Sequence, residues 1–554
     1  MKHNKRWLTA VVAGAVIAGA VPAFAGANAS PVDTVAAAEA SPPQLSVLAS
    51  YNSGSGEAGA EIVAFDTTTA SMLVTNGVLV RVDIVSLADP ASPALVRTLD
   101  LSGFGSSVQS VAVAGGVGVA VVGGATVLDK GKAVFFDVAT GEVRSSVEVG
   151  VLPDSVTFNA KGDIAVVANE GEPRCVTEGG RTPTTDPLEA ENPEGSVTVI
   201  SVRNRGRWTR AQQVTFGRFN SEQKRAALIG AGVRVGTWPG STVAEDLEPE
   251  SATIVGDKAY VTLQENDAMA VINLASLKVI DILPLGTKDY ASTGEVFDAS
   301  DKDLAFNQQV WPVHGMYMPD GIASMTAPWG QPLLLMANEG DTRSYYSGMD
   351  NAEVAGQGCF TDEARVKDLP LDPGVFGDTA TLQAQAALGR LKVSAVAPSH
   401  TAAGLYDSLA SFGGRSLSIR DLQGKLIWDS GSMFEAIVHT ADPTQWVTSA
   451  TTPAWATAPY DSRSDDKGPE PEGVVVGRHR NRQYAFVGLE RAGGVVMLDV
   501  SRPTAPQFVQ WATNGGDISP EGLAFVPAGV APGGKALLLA ANEISGTTTV
   551  FQLD

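Results

Sequence analysis

The chain has 554 residues, of which 44% are apolar and 18% charged, so it can bury a large core and is not a disordered polyampholyte. The formal net charge of −22 excludes a nucleic-acid binder that reads phosphates through a basic face, and it argues against docking on anionic lipid. A strongly acidic surface instead suits solubility and cation binding.

The N-terminus has the pattern of an export signal. Lys2, Lys5 and Arg6 precede an apolar run over residues 7–21, and Ala-Phe-Ala at 23–25 fits the small-x-small cleavage rule. The run is shorter than the roughly 20 residues that span a bilayer. We therefore predict a cleaved signal peptide over 1–25, a disordered spacer over 26–43 and a freely secreted protein without a membrane anchor.

Short β-type segments recur through the rest of the chain. Residues 60–65, 133–138, 270–274 and 495–500 are rich in Val, Ile and Phe and are bounded by Gly, Asp, Asn or Pro. Helical periodicity is confined to residues 221–230 and 380–390. The sequence predicts an all-β fold.

Two acidic motifs recur as pairs. The first is Pro-acid-small-apolar, as in Pro153-Asp154-Ser155-Val156, and its five copies carry Asp154, Glu250, Asp320, Glu472 and Glu521. The second ends a following strand with a glutamate, as in Ala-Asn-Glu, and its five copies carry Glu170, Glu265, Glu339, Glu490 and Glu543. A pair of this kind at the start of a repeat is typical of a four-stranded propeller blade.

Counting these repeats predicts a single seven-bladed β-propeller over 44–554. Five segments carry both motifs, and two more, 61–101 and 107–149, have the strands but lack the acidic pair. Residues 44–52 resemble a lone strand and are expected to complete the last blade, which would tie the ring together. A β-sandwich array remains the alternative.

Several connections are longer than blade loops require, and such insertions tend to be functional. They cover 171–195, 204–245, 286–318, 341–411 and 435–468, and are expected on one face of the ring. Cys175 and Cys359, the chain's two cysteines, follow Ala-Asn-Glu-Gly sequences that start from the same face. We predict a disulfide between two insertions; the alternative is two unpaired thiols.

Equivalent positions in a radial fold point at one axis, so the ten carboxylates should converge at one mouth of the channel. Crowded carboxylates need bound cations, Arg or Lys side chains, or protonation. Oxygen-only ligands suit a hard divalent cation, Ca²⁺ first, with Mn²⁺ or Fe as alternatives. In the competing interpretation, Pro-acid-Gly is an ordinary turn and Asn-Glu only ties strands together.

Basic residues lie beside these acids in the sequence. Arg174, Arg343, Arg491 and Lys467 could complete a phosphate-recognition site with a metal, or each arginine could pair only with its neighbouring glutamate. The acid-rich loops at 298–303 and 461–468 lack the spacing of an EF-hand and are expected to be solvated. Of the five histidines, only His314 lies near enough in sequence to approach the mouth.

Several longer strings resemble the choice-of-anchor I family, which is related to the mesenchyme-specific cell surface glycoproteins of biomineralising animals. They include Ala337-Asn338-Glu339-Gly340 and the segments 316–323, 388–393, 412–419, 463–474 and 541–549. The resemblance covers 44–553 and implies a secreted or surface β-propeller, sometimes called alkaline phosphatase-like, without established catalytic residues. The acid-free stretch 394–404 departs from the calcium-type loop that many members carry there.

Two functional hypotheses follow. The first is a secreted, monomeric β-propeller that binds a divalent cation at its acidic mouth and has an interaction or mineral-handling role, with an extracellular partner. The second is a metal-dependent phosphoesterase that uses the same site on a phosphate-bearing small molecule. Whether the protein is an enzyme is left open by the sequence.

Overall fold

The computed structural model describes residues 42–177, 182–292, 294–303, 305–346, 358–396, 399–441 and 461–554. The chain divides into two units, Met1–Pro42 and Pro43–Asp554, and the fold described here is that of the second. The predicted signal peptide and nearly all of the predicted spacer lie outside the described residues.

The described residues form seven four-stranded sheets in which every neighbouring pair of strands is antiparallel. The first sheet consists of Val63–Asp66, Ser71–Asn76, Arg81–Ser86 and Ala94–Asp100. The second consists of Val108–Ala114, Val117–Val122, Lys130–Asp137 and Val143–Val151. The third consists of Pro153–Phe158, Ile164–Asn169, Ser196–Arg203 and Trp208–Thr215. The fourth and fifth consist of Pro249–Val255, Lys258–Leu263, Ala268–Asn273 and Lys278–Pro284; and of Ile322–Thr326, Pro332–Asn338, Ser416–Arg420 and Leu426–Asp429. The sixth and seventh consist of Pro471–His479, Arg482–Leu489, Val495–Asp499 and Gln507–Ala512; and of Pro520–Val526, Ala536–Asn542, Thr547–Leu553 and Leu45–Asn52.

Burial explains which segments become central strands. All six residues of Ser71–Asn76 are buried, because the second strand of a sheet has a partner on each side and apolar clusters on both faces. By contrast, six of the seven residues of the outer strand Ala94–Asp100 are exposed. The all-β prediction is confirmed.

The apolar core is divided into clusters that lie between consecutive sheets. One cluster joins the first and second sheets through Leu73 and Ala120, and another joins the sixth and seventh through Phe486 and Leu538. Equivalent clusters join the second to the third sheet and so on to the sixth. A further cluster joins the seventh sheet back to the first through Leu539 and Val74.

The N-terminal strand is the fourth strand of the last sheet. Leu45–Asn52 pairs antiparallel with Thr547–Leu553 from Leu45 opposite Leu553 to Asn52 opposite Thr547. The Tyr51 hydroxyl donates a 2.9 Å hydrogen bond to Asp83 in the first sheet. The prediction that residues 44–52 complete the last sheet is confirmed.

The insertions carry the remaining elements. Their strands are Thr287–Asp289, His314–Met316, Ala410–Ser411, Lys392–Ser394 and Glu363–Arg365 in one five-stranded sheet, and Val176–Thr177 with Thr182–Pro183 and Ser344–Tyr346 with Gly358–Thr361 in two small sheets. The helices are Glu222–Ala231, Val243–Asp246, Pro373–Phe376, Thr379–Leu382 and Met433–Ala441, with 3₁₀ turns at Gly217–Phe219, Val366–Asp368 and Pro532–Gly534. None of the helices in the described ranges is long and apolar enough to cross a bilayer.

Two sequence-based boundaries need correction. The insertion expected over 204–245 begins later, because Trp208–Thr215 is the outer strand of the third sheet. Its Arg and Gln side chains are typical of an edge strand facing solvent, so it lacks the apolar run of an inner strand. The helix expected over 380–390 is limited to Thr379–Leu382, after which the chain continues in turns.

The disulfide prediction is confirmed. Cys175 and Cys359 are bonded, with their Cα atoms 5.5 Å apart, and the bond joins the insertion at 171–195 to the one at 341–411. Cys175 packs in an apolar cluster with Trp238 and Tyr345. The insertions are therefore covalently tied to one another as well as to their own sheets.

Candidate functional site

The Pro-acid motif begins the first strand in four of the sheets and lies just before it in the fifth. Pro153, Pro249, Pro471 and Pro520 are each the first residue of a strand, the position at which the missing N–H of proline is tolerated. In all four strands the pairing register shifts within the three residues after the proline. The acid lies in this irregularity, and a bulge of this kind turns a side chain away from the regular ladder.

The glutamate motif lies across from the proline. Asn169 pairs with Pro153, so Glu170 directly follows the end of the second strand. The same register places Glu490 after Leu489 and Glu543 after Asn542. Each such sheet therefore brings its two acids to the same end.

The fourth sheet departs from this pattern. Its Pro249 pairs with Leu263, so the position equivalent to Glu170 is held by Gln264 and not by Glu265. The Gln264 amide donates a 2.9 Å hydrogen bond to Oε2 of Glu339. Glu265 lies one residue further on and is only 5% exposed, and one of its carboxylate oxygens, Oε2, makes no hydrogen bond.

The asparagine of Ala-Asn-Glu joins neighbouring strands by hydrogen bonds. This is the role that the competing interpretation of the sequence gave to the whole Asn-Glu motif. Oδ1 of Asn169 accepts a 2.9 Å hydrogen bond from the Gly150 N–H, and its amide donates at 3.1 Å to Thr198. Asn338 likewise donates at 3.1 Å to Ser416. Since the asparagines join the strands, the glutamates beside them are available for another role.

A central cavity is lined by residues from the first strand, or the segment just before it, of all seven sheets. Its volume is about 240 Å³. Four of the predicted acids line it, namely Asp154, Asp320, Glu472 and Glu521. Serine hydroxyls from the second, third and fourth sheets lie among them. The predicted convergence of the first-motif acids is therefore present for these four residues.

Sequence reasoning missed two members of this arrangement. Glu61 precedes the first strand of the first sheet, where its carbonyl accepts a 3.0 Å hydrogen bond from the Gly522 N–H. Gln109 lines the cavity from the second sheet. Glu61 and Gln109 stand before apolar strand residues, as the acids of the Pro-acid motifs do. They were missed because the preceding residue is Ala60 or Val108 and not the proline by which the other copies were recognised.

Burial and mutual repulsion govern the protonation of these acids. Burial raises the pKa of Asp154 to about 7. Burial together with Glu543 and Asp154 raises the pKa of Glu61 to about 8. The same physical causes hold the pKa of Asp320 and Glu521 well above the ordinary carboxyl range.

The remaining predicted acids are affected similarly. Burial raises the pKa of Glu472, Glu250, Glu170 and Glu265 well above the ordinary value, and nearby carboxylates add to the effect. Glu250 feels Glu170 most strongly among its neighbours, and Glu472 feels Glu490. Burial also raises the pKa of Glu543, although Arg491 opposes that shift.

One side of the mouth is neutralised by basic residues of the chain. The Lys467 amino group lies 2.6 Å from Oε1 of Glu339 and 3.2 Å from Oε2 of Glu470. Arg463 donates to Glu470 at 2.8 Å, and Arg491 lies 2.9 Å from Glu490. Burial alone would raise the pKa of Glu470, but Arg463, Lys467 and Arg491 hold it well below the ordinary value.

The other arginines near the motifs do not pair as the sequence suggested. Arg174 lies 2.7 Å from Glu172 instead of pairing with Glu170. Arg343 is fully buried and contacts Glu248 at 3.3 Å instead of Glu339. The prediction that each arginine pairs with its motif glutamate is therefore wrong for these two, because Arg174 has a nearer carboxylate in Glu172 and the fold brings Arg343 against the segment just before the fourth sheet.

Carboxylate oxygens meet closely at two overlapping places in the mouth. Asp320, Glu339 and Glu472 each offer an oxygen within 4.8 Å of the other two, and we call this set the first triad. Glu339, Glu470 and Glu490 do the same, and we call this set the second triad. The two triads share Glu339 and differ in that the basic side chains surround the second.

The structure also describes the acid-rich loops and His314, which the sequence offered as weaker candidates for a metal site. Asp298 and Asp303 of one acid-rich loop meet Asp461 of the other within 4.8 Å. Asp298 is 1% exposed, so this part of the loop is not solvated as expected. His314 is exposed at the start of the strand His314–Met316.

Comparison with protein families identifies the class of protein. The family model for the choice-of-anchor I domain matches residues 61–503, most of the chain, so the chain belongs to this family. The matched residues run from the first sheet to the third strand of the sixth.

Two curated proteins and two solved structures are similar to parts of the chain. Gigasin-3a of Magallana gigas is 29% identical over 31% of this chain and 67% of its own length. The mesenchyme-specific cell surface glycoprotein of Strongylocentrotus purpuratus is 28% identical over 52% of this chain, and this chain spans only 40% of that protein. The Kuenenia stuttgartiensis hydrazine synthase has a TM-score of 0.43 at 11% identity, covering 90% of this chain and 96% of that one. The Myceliophteria thermophila Cps50 (Swd1) β-propeller domain has a TM-score of 0.42 at 8% identity, covering 92% and 100%.

Proposed function

We propose that this protein is a secreted seven-bladed β-propeller that binds a divalent cation, Ca²⁺ first, in its central acidic cavity. The ring is supported by the apolar clusters that join each sheet to the next and the seventh to the first. It is also supported by contacts between the first strands of consecutive sheets, including that between Pro520–Val526 and Val63–Asp66. Each sheet is then one blade, and its first strand lines the axis.

The proposal of a bound cation rests on the geometry of the first triad. Asp320, Glu339 and Glu472 bring three carboxylate oxygens within 4.8 Å of one another beside a cavity of about 240 Å³. Asp154 and Glu521 line the same cavity without a basic partner among the described residues. Removing this excess negative charge requires either protonation or a cation.

Calcium fits this donor set better than the other hard cations. The cavity offers carboxylates together with the hydroxyl and amide groups of serine and Gln109, which are all oxygen donors. Ca²⁺ accepts six to eight oxygens in flexible geometry, whereas Mg²⁺ demands a near-ideal octahedron. Iron favours sites that include imidazole, and none of the lining residues is a histidine, whereas Mn²⁺ shares the oxygen preference of Ca²⁺ and is the alternative cation.

The role that we propose for the cation is extracellular binding. The Cys175–Cys359 bond suits an oxidising compartment, and one relative is called a cell surface glycoprotein. A bound cation would give the acidic monomer a point of attachment for an anionic extracellular partner or a mineral surface. The phosphoesterase alternative has no observation in its favour, and we do not propose it.

Metal analysis and thermal unfolding test the proposal. We expect the purified protein to carry about one equivalent of Ca²⁺ per chain, and EDTA at neutral pH to lower its melting temperature. Saturation at about 100 times the dissociation constant is worth about 2.7 kcal/mol. Glu472→Gln should reduce the shift caused by Ca²⁺, because it removes one charged ligand of the first triad.

The control is Glu148→Gln, which changes a carboxylate that is 65% exposed on an outer strand of the second sheet. It should leave both the metal content and the response to EDTA unchanged. Mn²⁺ or iron found in place of calcium would correct the identity of the cation. No bound metal, with a melting curve that EDTA does not alter, would show that the carboxylates are structural.

A further inference from the structure

The two triads of the mouth both consist of three carboxylates, but they differ in whether a basic side chain of the protein lies among those carboxylates. The first triad, Asp320, Glu339 and Glu472, faces a cavity bounded by further acids. The second triad, Glu339, Glu470 and Glu490, already contains a cationic group. That group is the Lys467 amino group, which contacts Glu339 at 2.6 Å and Glu470 at 3.2 Å and lies 3.5 Å from Asp341.

We infer that Lys467 is a tethered cation that occupies the second triad and restricts divalent metal binding to the first. This inference rests on the proposed function for the first triad and adds a specificity-determining residue to it. The lysine is only 8% exposed, so its ammonium does not exchange freely with solvent. Its chain position, three residues before Glu470, fixes it close to the carboxylate that it neutralises.

Charge balance supports this division of the mouth. The three carboxylates of the second triad are matched by Lys467, Arg463 and Arg491, which lie within 2.9 Å of Glu339, Glu470 and Glu490 respectively. A divalent ion entering there would find the carboxylates already neutralised and would be repelled at short range by the adjacent ammonium and guanidinium groups. Among the described residues no basic side chain forms an ion pair with Asp320 or Glu472, and the neighbouring acids increase their attraction for a cation more than the more distant Lys467 reduces that of Asp320.

Glu339 belongs to both triads, and its two carboxylate oxygens have different partners. Its Oε1 is held by Lys467, and its Oε2 accepts the hydrogen bond from Gln264 at 2.9 Å. The side chain is therefore fixed between the triads, with one oxygen committed to the lysine. Removing the ammonium would release that oxygen and leave the second triad with one base fewer than it has carboxylates.

Lys467→Met tests this assignment, with Lys467→Arg as the variant that keeps the charge. Calcium content is measured by elemental analysis after dialysis, and binding by titration of Ca²⁺ into the chelated protein. We expect Lys467→Met to bind one more equivalent than the unaltered protein, and Lys467→Arg to bind the same number. Lys130→Met, at a lysine whose side chain is 52% exposed, should also leave the number unchanged.

The outcomes separate this inference from the proposed function. If the unaltered protein binds no calcium and Lys467→Met binds one equivalent, the proposed function fails and the inference stands. A Lys467→Met chain that folds only when Ca²⁺ is present also supports it, because the metal then replaces the ammonium. Unchanged stoichiometry in Lys467→Met, or failure to fold with and without Ca²⁺, overturns it.

Discussion

At the scale of single residues, the acidic mouth depends on side chains that the insertions place against it. Arg343 is the clearest case, because it is fully buried and its guanidinium contacts Glu248 at 3.3 Å and donates to the Asp246 carbonyl at 2.8 Å. Tyr345 donates a 2.9 Å hydrogen bond to the same glutamate. This network places one positive charge beside Glu248, whose neighbours Glu172 and Asp246 are also acids.

We expect Arg343→Met to destabilise the protein strongly. The change leaves the buried carboxylate of Glu248 without its cation, and breaking one side of a buried ion pair costs about 3–5 kcal/mol. Denaturant unfolding followed by fluorescence measures the loss. Arg207→Met is the control, because Arg207 is 55% exposed and 3.8 Å from Glu142, and exposed pairs contribute at most about 1 kcal/mol.

A double variant shows whether charge is the cause. Adding Glu248→Gln to Arg343→Met should recover part of the lost free energy of unfolding, because the uncompensated charge is then removed. If the double variant is less stable than Arg343→Met alone, packing of the arginine matters more than its charge. In that case the electrostatic explanation for this residue is wrong.

At the scale of elements, the pairing of the two chain ends closes the last sheet. Leu45–Asn52 forms seven register pairs with Thr547–Leu553, and without it the C-terminal strand would present an unpaired edge. Leu45 and Tyr51 are both less than 10% exposed, so the strand also covers apolar surface. An exposed edge of this kind is a template for aggregation.

Deleting residues 44–52 should therefore lower the melting temperature and promote aggregation. Burial of two large side chains accounts for about 3–6 kcal/mol by itself. Light scattering during thermal unfolding measures both effects. Deletion of residues 26–41 is the control and should leave both unchanged; equal stability of the two deletion variants would show that the strand does not secure the sheet.

At the scale of the whole molecule, the concentration of acids at one place makes stability depend on pH. The pKa of Asp154 is raised to about 7, and those of Glu61 and Glu490 to about 8, with burial as the largest cause in each case. The unfolded chain loses these protons near pH 4. Between about pH 4 and pH 8 the folded protein therefore holds more protons than the unfolded chain, and its stability decreases as the pH rises.

We expect the metal-free protein to melt at a higher temperature at pH 5.5 than at pH 8.5. Added Ca²⁺ should raise the melting temperature more at pH 8.5, because the cation binds the deprotonated carboxylates. Calorimetry with EDTA or Ca²⁺ at both pH values measures the difference. Asp154→Asn should weaken the pH dependence and Glu148→Gln should not; metal-free stability that increases between pH 5.5 and 8.5 would contradict the assignment of raised pKa values to the mouth.

Much of the fold and part of the site could be predicted from the sequence, because they depend on local pattern. Alternation of apolar residues and turns is sufficient for an all-β chain, and proline followed by an acid marks the start of four first strands and lies just before a fifth. The same repeat placed Asp154, Asp320, Glu472 and Glu521 on one cavity. The strand at 44–52 and the disulfide of Cys175 could also be predicted from the sequence.

Only the tertiary structure decided which charges meet. Glu61 lies just before the first strand of its sheet and Gln109 lies within one, so both belong with the first-motif acids although their segments lack proline. Register, and not spacing along the chain, gave the position after the strand end to Gln264 instead of Glu265. The partners of Lys467 and Arg343 lie 128 and 95 residues away in the chain. Contacts over such separations depend on how the insertions fold across the sheets, and no local pattern carries that information.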